Sequence, residues 1–483
     1  MALEGLSPKA LWQHFEEMTK IPHESSNEKA MGEHIAGYAK TKGWDVEKDK
    51  AGNLVARVAA TPGHESAPTV VLQGHMDMVC EKNSDVDFDF LKDPLKVKID
   101  GDWVTAEGTT LGADNAIGMA ASLAVAEDPS AVHGPLELLF TVEEEIGLEG
   151  AGKIKKGFLK GRVMLNLDSE EIGVFTVGCA GGGDTVIRLP ITKRNAPRGA
   201  VALNVNVSGL RGGHSGIDIH EQRGNSNRVL ARVLGKALEK SKFFVGALKG
   251  GSKRNAIPRE SEALCLVPKD KKRAFTSAIA KEEKIIKAEL ASIDPDLKVT
   301  VSPVKDVPAK VLDHASVKKV VDLLLALPHG VEFMSYEMEG LVETSTNLAT
   351  VDLEGRAVVV DMSTRSSVSS ALETLRTRID SVVALAGGKT EKNKPYPGWN
   401  PNLSSNILKT AKAVYQREFG AEAKVEACHA GLECGIIGEK FDGMDMISFG
   451  PTIQNPHSPE ERVNVPSIDA FWKFLKALLA ELA

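Results

Sequence analysis

Short apolar runs alternate with segments of helical period along much of this chain. From the first residues to about residue 183 the alternation has the rhythm of βαβ units, which is typical of a mixed or parallel sheet. A helix is expected after Ser7-Pro8, because a hydroxyl cap and a first-turn proline precede apolar residues at every third or fourth position. The run Asn53 to Val58 is one of the predicted strands. This part of the chain therefore predicts an α/β domain.

Two segments rich in glycine or proline interrupt this pattern. They are Gly178 to Gly183 and Lys394 to Trp399, and both compositions are typical of hinges and loops. Between them, two-period strands such as 202–207 alternate with helical patterns. We predict helices near 224–240, 270–290, 315–327 and 368–386. The region between the two breaks is therefore expected to form an α+β insertion.

Composition and charge exclude several classes of function. The net charge is -7 and the pI is near 6.0, whereas nucleic-acid binding requires clustered positive charge. No apolar segment approaches the roughly 18 residues of a membrane helix, and the first residues lack the pattern of an export signal. The five cysteines are an odd number, widely spaced and without a C-x-x-C motif, as in reduced proteins. We expect a cytoplasmic protein that binds neither nucleic acid nor membranes.

Four apolar runs are each followed by an acid or a histidine. These runs are 70–72 before His75 and Asp77, 136–142 before Glu143, Glu144 and Glu145, 163–165 before Asp168, and 446–449, which leads to His457. Asp114, at the turn before a helix of small residues, is a further candidate. Ligands of open α/β sheets lie beyond the carboxyl ends of the strands, so these side chains are expected to converge. Two imidazoles and three carboxylates would suit two zinc ions.

Each of these residues also has a simple structural interpretation. Asp114 fits a helix N-cap, the acids 143–145 fit a solvated turn, and His457 fits a surface histidine. Asp77 is two residues from His75 on an extended segment, so it is a candidate for the carboxylate that receives the second ring N–H. Neighbouring acids in 143–145 point in opposite directions, so one could bind metal while the next serves as a base. Their number at comparable strand ends favours a metal site.

Other catalytic schemes find little support. Gly213-His214-Ser215-Gly216 lacks the last glycine of the G-x-S-x-G elbow, and no cysteine lies in a Cys/His signature. No P-loop and no strand-borne G-x-G-x-x-G motif is present, which argues against nucleotide binding.

Several short motifs in order resemble the co-catalytic zinc aminopeptidase and aminoacylase superfamily. Within it, the chain resembles the aminoacyl-histidine dipeptidases, also called Xaa-His or cytosol non-specific dipeptidases and bacterial carnosinases. The motifs are Ile21-Pro22-His23, residues 74–79 (GHMDMV), 109–115 (TTLGADN), 212–216 (GGHSG), 254–259 (RNAIPR), 429–435 (HAGLECG) and 456–459 (PHSP). They span nearly the whole chain. One departure is the additional acid at Glu143, where relatives can carry another residue.

The resemblance implies a role for each candidate of the metal site. It makes Asp114 a carboxylate that bridges two zinc ions, with a cis peptide bond to Asn115. The other ligands implied are His75 and Asp168 for one ion and Glu145 and His457 for the second. Glu144 is implied as the general base and Asp77 as the residue that orients His75.

The resemblance also implies substrate contacts. His214 is expected to donate to the developing oxyanion, and Asn255 and Arg365 to contact the substrate backbone or its terminal carboxylate. His429 and Glu433 have either a substrate-pocket or a structural role. The segments 1–183 and 396–483 are then two parts of a catalytic domain, and 184–395 is an inserted lid and dimerisation domain.

The implied activity is hydrolysis of dipeptides, including Xaa-His dipeptides such as beta-alanyl-histidine, with two divalent metal ions. Zinc is the first choice of metal, with cobalt or manganese as alternatives. A homodimer through the lid is expected, and His214 could act in cis or in trans. Two other functions remain open. One is deacylation of N-acyl amino acids or aminopeptidase action at the same site, and the other is metal-dependent binding without catalysis.

Overall fold

The computed structural model describes residues 2–483. Its α-helices are α1 Lys9–Met18, α2 Lys29–Thr41, α3 Ala113–Glu127, α4 Glu149–Lys153, α5 Ser226–Leu238, α6 Lys272–Glu289, α7 His314–Ala326, α8 Ser369–Leu385, α9 Asn406–Phe419, α10 Glu433–Lys440 and α11 Val465–Leu482. Short 3-10 helices lie at Ile219–Glu221 and Lys269–Lys271. No helix in the described residues is long and apolar enough to cross a membrane.

The β-strands are numbered in chain order. They are β1 Asp45–Lys48, β2 Leu54–Val58, β3 Val70–His75, β4 Val97–Asp100, β5 Trp103–Ala106, β6 Leu136–Thr141, β7 Val163–Asn166, β8 Val174–Cys179, β9 Gly181–Pro190, β10 Lys193–Asn195, β11 Ala200–Ser208, β12 Gly213–His214, β13 Phe244–Gly250, β14 Ala256–Ile257, β15 Ser261–Pro268, β16 Lys298–Pro303, β17 Lys310–Leu312, β18 Gly330–Met334, β19 Val342–Glu354, β20 Ala357–Ser366, β21 Lys389–Lys392, β22 Lys424–Cys428, β23 Asp445–Ser448, β24 Ile453–Gln454 and β25 Arg462–Asn464.

The chain divides into two compact units. The first unit contains Met1–Cys179, Trp399–Ala427 and Gly431–Ala483, and the second contains Ala180–Gly398 and Cys428–Ala430. His429 lies in the segment 396–483, which is expected to be the second part of the catalytic domain, but it belongs to the second unit.

The first unit contains an eight-stranded mixed sheet with the strand order β1-β2-β6-β3-β7-β23-β8-β22. Its four central strands β6, β3, β7 and β23 run parallel to one another, with Val70 opposite both Leu136 and Val163. Every residue of β3 and β6 is buried, which explains the apolar residues at 70–72 and 138–140 on both faces of these strands. A separate four-stranded sheet has the order β24-β25-β5-β4.

Helix α3 packs against β3 and α1 in the core of the first unit. It consists largely of alanine and other small residues, and nearly all of it is buried. The small side chains allow α3 to pack close to the sheet. A Cβ atom at Gly74 would overlap the side chain of Asn115, and one at Gly118 would lie 2.5 Å from the carbonyl oxygen of Leu167.

The second unit contains an eleven-stranded sheet with the main order β16-β11-β15-β13-β19-β20-β9-β21. Strands β10, β17 and β18 pair at its side, and β12 pairs with β14 in a separate two-stranded sheet. Helices α5, α6 and α7 pack together, and their apolar faces join those of the strands in one core that includes Leu230, Phe243 and Phe275.

The predicted α/β class with a mixed sheet is confirmed. The four helices predicted in 224–386 are α5 to α8, each within a few residues of the expected bounds. The predicted strand at Asn53 to Val58 is β2, and the predicted first helix is α1.

Candidate metal centre

The four parallel strands carry polar residues to one edge of the sheet. His75 is the last residue of β3, Asp168 follows β7, and Glu144–Glu145 follow β6. Asp114 comes from the start of α3, and His457 from the loop between β24 and β25. Residues far apart in sequence therefore reach one place in the first unit.

The five predicted ligand residues lie together in two overlapping groups. One group is His75, Asp114 and Asp168, the other is Asp114, Glu145 and His457, and the ligand atoms within each group lie within 4.8 Å of one another. Asp114 Oδ1 is 3.0 Å from His75 Nε2, which is also 3.3 Å from Asp168 Oδ1. Asp114 Oδ2 is 3.2 Å from His457 Nε2, which is 3.1 Å from Glu145 Oε1. The Asp114 carboxylate therefore has one oxygen in each group.

The charges of these groups fit divalent cations. Burial raises the pKa of Asp168 to about 7, although the attraction of His75 opposes this. Hydrogen bonds to Asp114 and Glu145 raise the pKa of His457 to about 11. Protons thus balance part of the carboxylate charge, and a metal ion bound by the same atoms would replace them. Asp168 Oδ1 is buried and faces His75 Nε2 at 3.3 Å without a well-oriented hydrogen bond, so it is suited to a metal ligand.

Asp77 lies behind His75 and also contacts the loop that follows β6. The Nδ1 atom of His75 is 2.9 Å from the carbonyl oxygen of Asp77 and 3.5 Å from its Oδ1, so Nδ1 carries the proton and Nε2 faces the acids. The Asp77 carboxylate accepts hydrogen bonds from the amides of Glu144 (3.0 Å) and Glu145 (3.1 Å) and from the hydroxyl of Ser25 (2.8 Å). One buried acid therefore holds the ring of His75 and the backbone of two neighbouring acids.

The three consecutive acids have different surroundings. Glu143 turns away from the groups and accepts a hydrogen bond from Lys153 Nζ at 2.6 Å. Glu144 points toward the ligand groups, and one of its carboxylate oxygens lies within 4.8 Å of the ligand atoms of His75 and Glu145. Burial and the neighbouring acids raise the pKa of Glu144 well above its usual range. The additional acid at position 143 therefore lies outside this arrangement.

Glu433 is fully buried between two of the central strands. Its Oε2 accepts hydrogen bonds from Gln73 Nε2 and Thr141 Oγ1, both at 2.6 Å. Gln73 is in β3, two residues before His75, and Thr141 ends β6. Burial raises the pKa of Glu433 to about 8. These contacts join the two strands that lead to the acids and the histidine.

His214 belongs to the second unit, where β12 pairs with β14 beside Asn255. The register places His214 opposite Ala256. The ring Nδ1 accepts hydrogen bonds from the amides of Gly216 (3.3 Å) and Ile217 (3.0 Å), so the proton of the neutral ring is on Nε2. Burial and the charge of Arg365 lower the pKa of His214. The ring is therefore a neutral hydrogen-bond donor near pH 7.

Arg365 and His429 lie next to His214 in the second unit. A Cβ atom at Gly216 would overlap the carbonyl oxygen of His429 and would lie 3.1 Å from His214 Cε1 and 3.2 Å from Arg365 Cδ. Burial and Arg365 lower the pKa of His429 to about 3, and its Nε2 is 2.7 Å from Ser345 Oγ. Three of the four candidate residues that the structure places in the second unit, His214, Arg365 and His429, thus form one cluster. The fourth, Asn255, directly precedes β14, the strand that pairs with the strand of His214.

Sequence analysis did not identify Glu461, a buried acid in the loop after His457. Its neighbours Glu460 and Arg462 are exposed, so the segment has the composition of a solvated turn. One signal was present. Glu461 and the buried apolar residue Val463 are two positions apart on an extended segment, and such residues share a face.

Comparisons with known proteins cover almost the whole chain. The model of a family described as Peptidase family M20/M25/M40 matches residues 71–481. The chain is 41% identical over 480 residues to the cytosol non-specific dipeptidase of Escherichia coli K12, covering 99% of both chains. It is similar to the crystal structure of aminoacylhistidine dipeptidase from Vibrio alginolyticus, with a TM-score of 0.90, 41% identity and coverage of 99% and 98% of the two chains. The likeness to aminopeptidase PepT from Bacillus cereus, with a TM-score of 0.56, 14% identity and coverage of 99% of both chains, is one of fold.

Proposed function

Because the chain belongs to peptidase family M20/M25/M40, we propose that it is a metal-dependent dipeptidase. Its substrates would be dipeptides, including Xaa-His dipeptides such as beta-alanyl-histidine. Two relatives with 41% identity over 99% of this chain carry dipeptidase names, which supports this choice of substrate class. Membership of the family makes the chain a hydrolase.

The position of Asp114 carries the proposal. Its two carboxylate oxygens lie 3.0 and 3.2 Å from the Nε2 atoms of His75 and His457, respectively. A carboxylate between two ligand groups suits a bridge between two cations. Asp168 would complete the site of the first ion and Glu145 that of the second.

Zinc is the proposed metal, with cobalt and manganese as alternatives. Imidazole nitrogen and carboxylate oxygen are ligands that zinc accepts in catalytic sites. When bound, two such ions polarise a scissile carbonyl and lower the pKa of a water molecule.

Glu144 is the proposed general base. It would accept a proton from the attacking water on a carboxylate oxygen and deliver that proton to the leaving amine. Its position supports the role, because one of its carboxylate oxygens lies within 4.8 Å of the ligand atoms of His75 and Glu145. Asp77 would keep His75 in the tautomer whose Nε2 lone pair is available to the metal.

The roles of the second-unit residues rest on the resemblance. His214 would donate its Nε2–H to the developing oxyanion, and Asn255 and Arg365 would contact the substrate backbone or its carboxylate. The proximity of His214, Arg365 and His429 within the second unit supports a shared role. The contacts of Glu433 with Gln73 and Thr141 support a structural role for that acid rather than one in substrate binding.

The lid role of the inserted segment, a homodimer through it and a cytoplasmic location stay predictions. Sedimentation of the purified chain over a dilution series, with activity measured on the same samples, tests whether a dimer forms and whether activity needs it.

The test of function is metal analysis combined with a substrate panel. Full-length protein is assayed with dipeptides, a tripeptide and N-acyl amino acids, before and after treatment with a chelator. We expect about two divalent ions per chain, hydrolysis of dipeptides, and loss of activity that added zinc restores. Preference for N-acyl amino acids or for the tripeptide would favour a deacylase or an aminopeptidase. Bound metal without any turnover would favour a binding protein.

A further inference from the structure

Glu461 holds the backbone of the turn that carries Asp114. Its Oε2 accepts hydrogen bonds from the amides of Leu111 (2.7 Å) and Gly112 (2.9 Å). Its Oε1 accepts from the amides of Ala113 (2.8 Å) and Asp114 (3.3 Å). The residue is 2% exposed. A single buried carboxylate thus accepts hydrogen bonds from four consecutive amides.

Two of these amides, those of Ala113 and Asp114, belong to the first two residues of α3, and the other two belong to the turn before it. The first four N–H groups of a helix have no acceptor within the helix, and Gly112, the residue before α3, has no side chain that could accept from them. Gly112 has φ +69°, and a Cβ atom there would lie 2.8 Å from Met78 Sδ. The turn therefore directs its amides toward one point, and Glu461 occupies that point.

The loop that provides Glu461 also provides His457. The amide of Glu461 donates to the carbonyl oxygen of Ser458 at 3.0 Å, and its own carbonyl accepts from Thr105 Oγ1 at 3.2 Å. The loop is thereby fixed to itself and to β5. At its other end, His457 Nε2 lies 3.2 Å from Asp114 Oδ2. The loop therefore contacts Asp114 twice. His457 faces a carboxylate oxygen of Asp114, and Glu461 accepts a hydrogen bond from the backbone amide of Asp114.

We propose that Glu461 is a positioning residue of the metal centre, which sets the place of the Asp114 carboxylate relative to His457. The inference rests on the proposed function, since it assumes that both residues bind metal. It predicts that Glu461 determines metal affinity without contacting the metal. Residues that hold a ligand in this way typically change metal affinity by about 10- to 100-fold.

Two other roles would have the same contacts. Glu461 could stabilise the fold as a helix cap only, or it could act through its negative charge alone. Glu461→Gln places an amide nitrogen opposite two of the four N–H groups, and it removes the charge. Glu461→Asp keeps the charge but is one methylene too short to reach the same amides. Glu460→Gln is the matched control, because it removes the charge of the adjacent exposed acid.

The experiment measures zinc affinity of the full-length protein after removal of metal, by competition with a chelating dye. Glu461→Gln and Glu461→Asp should both bind zinc at least about tenfold more weakly than the wild type, and Glu460→Gln should bind it normally. Activity of both Glu461 variants should be low at limiting zinc and should recover as zinc is raised. The thermal midpoint of the metal-free proteins reports on the fold separately.

The outcomes separate the possible roles. A lower thermal midpoint with unchanged zinc affinity in both Glu461 variants would leave only the capping role and overturn the proposal. Normal affinity in Glu461→Asp with weak affinity in Glu461→Gln would assign the effect to charge, which also overturns it. If the wild type itself binds no zinc, the proposed function fails. Tight zinc binding by the wild type and by both variants refutes this inference alone.

Discussion

Replacement of Glu144 by glutamine tests the proposed chemistry most directly. The substitution keeps the shape of the side chain, and its oxygen can still accept a hydrogen bond, but it cannot take up a proton. Glu144 has an oxygen within 4.8 Å of ligand atoms of His75 and Glu145. Removal of one negative charge from this group leaves all five proposed ligands in place. We therefore expect the variant to retain its metal and to lose its activity.

The expected loss follows from the work of a general base. Proton transfer by a positioned side chain contributes about 10²- to 10⁴-fold to the rate, which corresponds to about 3 to 5.5 kcal/mol of activation free energy. The adjacent Glu143 provides a control of the same residue type. Its carboxylate pairs with Lys153, whose side chain is 47% exposed, and such surface pairs contribute at most about 1 kcal/mol to stability. Because Glu143 also lies outside the groups of ligand residues, Glu143→Gln should leave kcat nearly unchanged.

The assay compares kcat, KM and metal content of the two variants and the wild type with one dipeptide. The expected pattern is a fall of at least about 100-fold in kcat for Glu144→Gln alone, with normal metal content in all three proteins. Full turnover in Glu144→Gln with metal bound would refute the assignment of the base. Equal losses in both variants would show that acid charge in this loop matters, rather than the position of one carboxylate.

Three further substitutions and one control variant test the scaffold. Asp77→Asn leaves one of two backbone amides without an acceptor, and zinc affinity measured by titration should fall by about 10- to 100-fold. Arg376 is 1% exposed and donates to the carbonyl oxygens at 184 and 393. Arg376→Met leaves these two carbonyl oxygens without their donor, at a cost of about 1 to 3 kcal/mol each, so it should lower the free energy of unfolding in urea by about 2 to 6 kcal/mol. Arg378→Met, at a surface pair with Glu332, should change it by less than about 1 kcal/mol. Burial raises the pKa of Glu433 to about 8. Between about pH 5 and 8, Glu433 therefore keeps a proton in the folded protein that it has released in the unfolded chain. The free energy of unfolding should fall as the pH rises through this range. Glu433→Gln imitates the protonated acid, so the pH dependence of its thermal midpoint should be flatter than that of the wild type, and an equally steep dependence would contradict this.

The elements that sequence predicted well are those whose burial leaves a pattern. Strands β3 and β6 are enclosed on both faces, so each contains three consecutive apolar residues, 70–72 and 138–140, instead of an alternating pattern. Helices α5 to α8 have one apolar face and one polar face, so apolar residues recur with the helical period in the sequence. The convergence of strand ends followed from the general rule for ligands of α/β sheets. The parallel central strands satisfy that rule.

The supporting contacts were harder to predict because they join residues through backbone amides. Asp77 was expected beside His75, but its hydrogen bonds to the amides at 144 and 145 depend on the turn after β6. Glu461 contacts residues about 350 positions earlier in the chain, and no local pattern encodes such a distance. The direction of Glu143 toward Lys153 likewise depends on a left-handed backbone conformation, with φ 53°. Tertiary structure decides each of these features.

The hydrogen bonds of Asp77 have a consequence for how this protein can diverge. Its carboxylate accepts hydrogen bonds from main-chain N–H groups, which nineteen of the twenty amino acids possess. The path of the loop at 144 and 145 therefore does not depend on the side chains at these two positions. Substitutions at positions 144 and 145 can therefore change the chemistry of the site without changing the backbone conformation of the loop. Proline, which lacks the N–H, is the replacement that such a loop should never accumulate.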